Sequence, residues 1–482
     1  MDNHQDTANP QEINKVPLII VLISGAFAAI LNQTLLGTAL PPIMKDLNLE
    51  ASTAQWLTSV FMLVNGVMIP ITAFLIERFT TRRLFLTAMG LFAVGTLICA
   101  IAPNFSILMV GRVVQASGAG IIMPLMQTIL FLIFPLEKRG AAMGMFGLVI
   151  SFAPAIGPTL SGWLVEQFPW RSLFYVILPI VIIDFIVAYF ILKNVTKQTY
   201  PKLDILSIIL SSLGFGGILY GFSIAGTNGW GSTQVLISLI LGATSLTLFI
   251  FRQFKLKQPI LEFRVFKFNM FTLTTALGMV VFIAMIGAAT VLPILMQDML
   301  GFSAFESGLM LLPGALIMGF MNPITGRLFD KFGARWLAII GLFILTVTTF
   351  MFTNLTPQTT FTYLAIVNAV RMLGVAMVMM PVTTAGLNQL PQRLIPHGTA
   401  MNNTMRQVSG AVGTALLVTV MTTSAQPSEG VAGFVHGVNV SFIVAGITAI
   451  VGLGLSFFIK NPIREKQTQV NPQGKHEQTA RG

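Results

Sequence analysis

Charged residues and cysteine are both scarce in this chain of 482 residues. Asp, Glu, Lys and Arg together make up 9% of it, whereas hydrophobic residues make up 54% and the mean hydropathy is +0.81. Ordinary soluble domains carry about 25% charged residues. The composition therefore excludes a soluble domain and indicates a membrane protein. The single cysteine, Cys99, lies within an apolar run, which excludes a disulfide framework.

Motifs of soluble catalysis and of metal binding are also missing. The sequence has no glycine-rich phosphate-binding loop, and its histidines lack the spacing of metal ligands. We therefore predict no metal site and no cofactor, and ATP-driven transport would need a partner chain. A membrane enzyme is the alternative of a different class, and covalent alteration of a ligand by the purified protein would support it. The histidines are His4, His397, His436 and His476.

Apolar runs of about 20 residues, the length that crosses a bilayer core, recur along the chain. The first run is too long for the core of a signal peptide and is expected to remain as helix 1. We predict an all-α polytopic membrane protein with fourteen transmembrane helices. Their approximate limits are 16–40, 53–76, 84–102, 106–134, 141–165, 172–192, 205–225, 234–251, 269–296, 307–326, 336–354, 362–388, 399–423 and 436–459.

The placement of basic residues tests this helix count independently. With a cytoplasmic amino terminus, the internal loops on that side hold seventeen Lys and Arg residues, and the opposite loops hold only Lys45 and Arg171. Such asymmetry is the positive-inside pattern, so both termini are predicted to be cytoplasmic. It also explains the net charge of +11 without nucleic acid, because these residues face anionic lipid. The seventeen are Arg78, Arg82, Arg83, Lys138, Arg139, Lys193, Lys197, Lys202, Arg252, Lys255, Lys257, Arg264, Lys267, Arg327, Lys331, Arg335 and Arg393.

An internal repeat relates the two ends of the chain at an offset of about 255 residues. The repeated features, in order, are Pro41 and Pro293, Arg78 and Lys331, Arg112 and Arg371, Pro124 and Pro381, and Gly140 and Gly398. Eight predicted helices fit within one offset, so the economical arrangement is six helices, two inserted helices and six more. The predicted organisation is a tail (1–15), a six-helix bundle (16–192), the inserted pair with its loops (193–267), a second six-helix bundle (268–459) and a tail (460–482).

The predicted fifth helix contains two prolines and two glycines within residues 153–162. A helix of this composition is tolerated in a bilayer where a neighbouring helix covers the exposed backbone. The alternative is a kinked packing helix without a specific function. Together with an upstream glycine, the pattern resembles the antiporter motif of major facilitator drug/proton exporters, with alanine and serine at two usual glycine positions. The motif residues are Gly144, Ala153, Gly157, Pro158 and Gly162.

Two basic loops at equivalent repeat positions resemble the cytoplasmic signature of the same family, Gly-x-Leu-x-Asp-Arg-x-Gly-Arg-Arg. The second copy, 326–335, departs from the signature at two positions, whereas the first copy, 73–83, departs at four. A carboxylate flanked by basic residues can pair with a neighbouring helix end and close the cytoplasmic side. The alternative is a solvated loop. The predicted gate residues are Glu77, Arg78, Arg82, Gly326, Asp330, Lys331 and Arg335.

Helix 4 carries Arg112 and Gln115, which share a helix face because they are three residues apart. An arginine within a span is costly and should face protein or water. The alternative is an arginine near the interface that snorkels to the headgroups. The segment resembles the helix-4 motif Arg-x-x-Gln-Gly-x-Gly of the family, in which the arginine is linked to proton movement.

A proton exchanger needs a group that gains and loses a proton in each cycle. Helix 1 resembles that of the fourteen-helix drug/proton antiporters, but Asn32 stands where an aspartate is usual and cannot titrate. Asp184 is the carboxylate that we place deep in a span, and burial favours its neutral form. We therefore predict Asp184 and Arg112 as the proton-coupling residues. The alternatives are a neutral Asp184 on a peripheral helix and carriage by Asp298 or Glu306 beside an outer loop.

Polar residues within several helices are candidates for the lining of a substrate cavity. Contacts between helices inside the bundle would explain them equally well. The abundance of Phe and Met supplies adaptable apolar walls for varied ligands. The predicted cavity residues are Asn32, Gln33, Gln115, Asn368, Arg371, Asn402 and Arg406.

Taken from Val16 to about Lys460, these motifs resemble the fourteen-helix drug/proton antiporter branch of the major facilitator superfamily, and within it the lincomycin-resistance type of multidrug exporter. The resemblance implies efflux of drugs or other amphipathic small molecules by alternating access, driven by protons, in the bacterial cell membrane. The expected state is a monomer. The main alternative is a metabolite or lipid transporter of the same fold.

Overall fold

The computed structural model describes residues 15–196 and 198–460. The predicted tails, apart from Lys15 and Lys460, and the loop residue Lys197 lie outside the described residues. Fourteen long α-helices, α1 to α14, follow one another in this part of the chain. Their bounds are Lys15–Leu47, Ala51–Arg78, Thr81–Ile101, Phe105–Ile133, Arg139–Gln167, Ser172–Ile191, Ile205–Asn228, Thr233–Lys255, Asn269–Ile294, Ala304–Phe332, Ala334–Met351, Phe361–Leu387, Ile395–Thr423 and Val431–Ser456.

Thirteen of the described helices are long and apolar enough to cross a membrane, and α13 is the exception among the fourteen. Its 29 residues would extend about 43 Å, ample for a bilayer. Its sequence is polar because several side chains that face other helices are amides or cations, including Asn402, Asn403 and Arg406, all of them buried. The prediction of an all-α polytopic membrane fold is confirmed.

The helices pack in three groups. α1 to α6 pack against one another, α9 to α14 do the same, and α7 packs along α8, while α5 packs along α10 and so joins the first group to the second. The α7–α8 pair meets the rest of the protein through contacts of α7 with α2 and α13. This packing agrees with the arrangement of six, two and six helices that the repeat predicts. We refer below to α1–α6 as the first half and to α9–α14 as the second half.

An ion pair fastens the two inserted helices at one end. Asp204 caps α7 and accepts hydrogen bonds from Arg252 Nε and Nη2 at 2.8 and 2.9 Å. These bonds hold the pKa of Asp204 below its usual value. Along the pair, a Cβ on Gly217 or Gly242 would lie within 3.0 Å of the backbone of the facing helix. The two helices are therefore in direct backbone contact.

Candidate functional site

One end of the bundle is sealed between the two halves. We call it the closed end; there α1 begins and α2 ends. The carboxylate of Asp330, at the end of α10, accepts hydrogen bonds from the backbone N–H groups of Gly140 and Ala141 at 2.7 and 2.9 Å. These groups lie in the first turn of α5, where the helix dipole favours a negative charge. A Cβ on Gly140 or Gly326 would lie 2.3–2.4 Å from the carbonyl oxygen of the other, so the two backbones touch.

The seal continues along α5 and α10 toward the middle of the membrane. A Cβ on Gly144 would lie 2.6 Å from the carbonyl oxygen of Asn322, and one on Gly147 would lie 2.7 Å from the amide carbon of the same residue. The Asn322 side chain donates a hydrogen bond to the Ser151 hydroxyl at 2.9 Å. From Gly140 to Ser151 is eleven residues, about 16 Å of helix. The closed end is thus a thick contact between the halves.

A second contact between the halves joins α2 and α4 to α13. His397 Nε2 and Glu77 Oε1 are 2.9 Å apart, and His397 is 4% exposed. The backbone N–H of Glu262 donates to His397 Nδ1 at 3.3 Å, so Nε2 is the nitrogen that donates to Glu77. Deeper along the same contact lie two further polar pairs, Thr128 with Thr399 at 2.8 Å and Asn403 with Gln127 at 2.6 Å.

These two contacts occupy equivalent positions of the internal repeat. Glu77 and Asp330 are the carboxylates of the two signature loops, and His397 directly precedes Gly398, the repeat partner of Gly140. Asp330, of the second loop, binds backbone N–H groups at the start of α5. Glu77, of the first loop, binds the side chain of His397 at the start of α13. His397 was missed by the sequence analysis, although its position beside a repeated segment was a signal that could have found it.

Three basic residues of the predicted gate, Arg78, Arg82 and Lys331, contact their own half or its adjoining segment. Arg78 donates to the carbonyl of Pro201 at 3.0 Å, and Arg82 donates to the carbonyl of Tyr189 at 2.6 Å. Lys331 lies over the ring of its neighbour Phe332, and Arg335 lies in the first turn of α11. The structure brings Glu77, Gly326 and Asp330 to the contact between halves, and the role of the basic residues stays a prediction.

A cavity of about 540 Å³ lies toward the opposite end, which we call the open end. A pocket of this size falls within the range of small-molecule sites. Gln33 and Pro158 line it as members of the predicted set, whereas Asn32, next in sequence to Gln33, is buried at 2% exposure. The full lining comes from three helices of the first half: Gln33, Thr34, Gly37, Leu40, Met44, Gln55, Thr58, Met62 and Pro158.

The predicted antiporter motif on α5 contacts two different helices. Its first glycine faces α10 of the second half, as described above, whereas Gly157 faces α1. A Cβ on Gly157 would lie 2.1 Å from Thr34 Oγ1, and the Ser161 hydroxyl donates to the carbonyl of Leu35 at 2.6 Å. By contrast, a Cβ on Gly162 would meet nothing within 4 Å. Despite its prolines α5 is one continuous helix, and α1 covers its backbone as expected.

Arg112 is completely buried between α2, α3 and α4. Its Nε donates to the carbonyl of Leu57 at 3.1 Å, its Nη1 donates to Gln115 at 2.8 Å, and its guanidinium lies 4.3 Å over the ring of Phe61. Gln115 in turn donates to Thr96 at 2.7 Å. Arg112 and Gln115 share a helix face, as their spacing indicates, and a snorkelling arginine does not fit a side chain with no exposed surface.

The second half holds two comparable buried arginines. Arg371 donates to Thr349, which is the repeat counterpart of Thr96, and to the carbonyl of Ala284. Arg406 donates to Thr383 at 2.6 Å. The predicted cavity residues Asn368 and Asn402 are also buried, and each has an amide atom without a hydrogen-bond partner. None of these side chains lines the described cavity, so their contact with a substrate stays a prediction.

Asp184 is 5% exposed and faces α1 and α3. A Cβ on Gly25 of α1 would lie 3.0 Å from its Oδ2, which has no hydrogen-bond partner, and Ser24 lies within hydrogen-bonding reach of the carboxyl group. The same Cβ would lie about as close to Phe85 and Met89, which marks the level of Asp184 along α3.

The structure does not bring Asp184 and Arg112 together. Arg112 is linked to α3 through Gln115, which donates to Thr96. Thr96 lies seven residues beyond Met89, about 10 Å farther along α3. Among the described residues, no hydrogen bond or ion pair joins the two side chains. Any coupling between them must therefore pass through other polar groups or water.

Comparison with known proteins places this architecture in a family. The family model described as Major Facilitator Superfamily matches residues 22–414. The human organic anion transporter MFSD10 (TETRAN) shares the fold, with a TM-score of 0.68 at 13% identity over 92% of this chain and 100% of the transporter.

Similar sequences extend over nearly the whole chain. The uncharacterized MFS-type transporter YcnB of Bacillus subtilis is 58% identical over 95% of this chain and 97% of its own length. The lincomycin resistance protein LmrB of Listeria innocua is 42% identical over 95% of this chain and 99% of its own length. The multidrug export protein EmrB of Haemophilus influenzae is 29% identical over 83% of this chain and 79% of its own length. The chain therefore belongs to the major facilitator superfamily.

Proposed function

We propose that this protein exports drugs or other amphipathic small molecules in exchange for protons by alternating access. The observation that carries the proposal is the difference between the two ends of the bundle. Backbones touch across the closed end, whereas a ligand-sized cavity lies toward the open end. The names of two relatives, a lincomycin resistance protein and a multidrug export protein, support export as the direction and drugs as the substrate class.

The closed end is proposed to be the cytoplasmic end. The described loops there carry most of the basic residues, whereas Lys45 and Arg171 lie toward the open end. An excess of Lys and Arg marks the cytoplasmic side of a membrane protein. The structure then corresponds to an outward-open state, in which a substrate leaves to the exterior before the halves rearrange.

The cavity chemistry favours amphipathic substrates and a separate proton site. Met44 and Met62 give it adaptable apolar walls, and Gln33, Gln55 and Thr58 supply hydrogen-bonding groups. Among the described residues that line the cavity, none is titratable. A proton carrier must therefore lie elsewhere, and the buried Asp184 is our candidate.

The test of the proposed function uses the purified protein in liposomes that contain a pH-sensitive dye. Lincosamides, cationic dyes and fluoroquinolones are added in turn, and we expect at least one class to cause proton release that a protonophore abolishes. Drug transport that survives full collapse of the proton gradient would contradict proton coupling. Failure of every drug class, with transport of a metabolite or lipid instead, would favour the alternative substrate.

Asp330→Asn should loosen the closed end. The substitution removes the charge from the start of α5, where a charged acceptor is worth about 1–2 kcal/mol. The reporter is a cysteine placed at Thr128 in a Cys99→Ala background. We expect it to react with N-ethylmaleimide about tenfold faster in the Asp330→Asn protein than in the protein that keeps Asp330.

Thr128 is a suitable reporter because it is buried and contacts Thr399 of the other half. Asp298→Asn, at the open end, is the matched control and should leave the labelling rate unchanged. Equal rates in all three proteins would show that Asp330 does not hold the gate.

A further inference from the structure

A second cavity, of about 370 Å³, lies at the closed end. It is formed where the segment between α8 and α9 meets the segment between α12 and α13. We call it the basic pocket. Its lining residues are Lys257, Glu262, Arg264, Lys267, Phe268, Pro391, Arg393 and Leu394.

Positive charge in the basic pocket is mostly uncompensated. The single lining carboxylate, Glu262, pairs with Arg264 at 3.3 Å. In the part of the chain that the structure describes, Lys257, Lys267 and Arg393 have no ion pair and no side-chain hydrogen bond. Three cations from two separate segments therefore face one concave surface, which concentrates the local positive potential.

We infer that the basic pocket binds the phosphate group of an anionic ligand, with an anionic phospholipid headgroup as the favoured source. Two ammonium groups and one guanidinium supply several charged donors, the set that phosphate oxygens accept. Basic pockets on the cytoplasmic side of helix bundles bind anionic headgroups in the same way. On this view the positive charges attract one defined ligand as well as the membrane surface in general.

A lipid source fits the surroundings of the pocket. Phe251 and Phe254, in the last turns of α8, are 64% and 47% exposed, as expected of side chains that meet acyl chains. Arg264 donates to the carbonyl of Phe254 at 3.1 Å, which attaches the pocket wall to this lipid-facing end of α8. Acyl chains lying along α8 would bring a headgroup to the pocket. A soluble phosphate has no acyl chains and would gain nothing from this apolar surface.

The basic pocket also shares a residue with the gate. The backbone N–H of Glu262 donates to His397 Nδ1, and His397 Nε2 bonds Glu77 across the two halves. A ligand that bridges Lys267 and Arg393 would hold this segment against the start of α13. Resting on the proposed function, we infer that occupancy stabilises the closed end, because a ligand favours the state that it binds more tightly.

The test measures binding to the full-length protein in detergent, by native mass spectrometry and by thermal unfolding. Phosphatidylglycerol, phosphatidylcholine and inorganic phosphate are titrated separately. The pocket variant carries Lys257→Gln, Lys267→Gln and Arg393→Gln. The control variant carries Arg83→Gln, Lys193→Gln and Lys202→Gln, which remove the same charge from exposed positions at the same end. A charge-conserving variant with Lys257→Arg, Lys267→Arg and Arg393→Lys tests whether the pocket variant is merely misfolded.

We expect phosphatidylglycerol to bind and stabilise the unsubstituted, control and charge-conserving proteins, with affinity roughly 100-fold lower in the pocket variant. If inorganic phosphate reproduces this pattern in full, the source is a soluble phosphate. Equal responses of the pocket and control variants to every ligand would overturn the site. Phosphatidylglycerol should also slow the labelling of the Thr128 cysteine, and only when the pocket is intact. A labelling rate that is the same with and without the lipid would overturn the link to the gate. These readouts involve no transport, so their failure is distinct from failure of the proposed function.

Discussion

Gly157→Leu is expected to abolish export while the protein still inserts into the membrane. The reason is the contact between α5 and α1, where a Cβ at position 157 would lie 2.1 Å from Thr34 Oγ1 and 2.8 Å from Thr34 Cβ. Real side chains do not approach so closely, and a leucine would have to push α1 away from α5. Both helices line the open-end cavity, so the displacement distorts the site directly. Efflux from cells and the amount of protein in the membrane are measured together.

The same helix offers a matched control. Gly162→Leu adds the same side chain five residues farther along, where a Cβ meets nothing within 4 Å, and it should retain export. A second variant tests the cause of the loss. Gly157→Ala alone should lower efflux, and Thr34→Ala should restore part of it by removing the hydroxyl that the new methyl group meets. Normal efflux by Gly157→Leu would show that the motif on α5 has no role in transport here.

The helices could be predicted from the sequence because the bilayer makes local composition decisive. Each span must be about 20 residues long and apolar, and each loop carries a charge bias. α13 illustrates the limit of this reasoning. Some of its polar side chains, such as Asn403 and Arg406, have partners on other helices, and hydropathy alone ranks it below its neighbours.

Within one helix, residue spacing also predicted contacts correctly. Arg112 and Gln115 bond each other because residues three apart share a face. Spacing could not say which face meets a cavity. Adjacent residues on a helix point about 100° apart, so Gln33 lines the cavity while Asn32 is buried among other helices.

Contacts between distant segments were the part that spacing could not supply. The signature loop predicted a carboxylate that pairs with a helix end, and Asp330 does so. No feature of the neighbouring sequence indicated that Arg78 would donate to the carbonyl of Pro201. None indicated that Glu77 would bond His397, more than 300 residues away. Such pairs depend on how the two halves meet. The repeat is the sequence signal that carries this information, since it relates His397–Gly398 to the start of α5.

Arg112→Ala is expected to inactivate the transporter whether or not Arg112 acts on a proton carrier. The truncation removes the donor to the amide oxygen of Gln115 and one donor to the carbonyl of Leu57, and it empties the space over Phe61. Unsatisfied buried groups cost about 1–3 kcal/mol each. Loss of activity in this variant alone is therefore weak support for proton coupling, and the sharper test lies in Asp184.

Asp184→Asn is expected to make efflux independent of pH while drug binding is kept. Asparagine has nearly the same shape and cannot gain or lose a proton, so it holds the site neutral throughout the cycle. Asp184 is buried beside Gly25 with one carboxyl oxygen unpartnered, an arrangement that costs little when the group is neutral and much when it is charged. A carrier in this position would release its proton when the halves rearrange and water reaches it.

Efflux and drug affinity are measured from acid to alkaline pH, with Asp298→Asn and Glu306→Gln as matched controls at the open end. A flat efflux profile in Asp184→Asn alone supports the carrier role. An unchanged profile in Asp184→Asn, with a flattened one in either control, would instead place the proton at the outer mouth of the cavity.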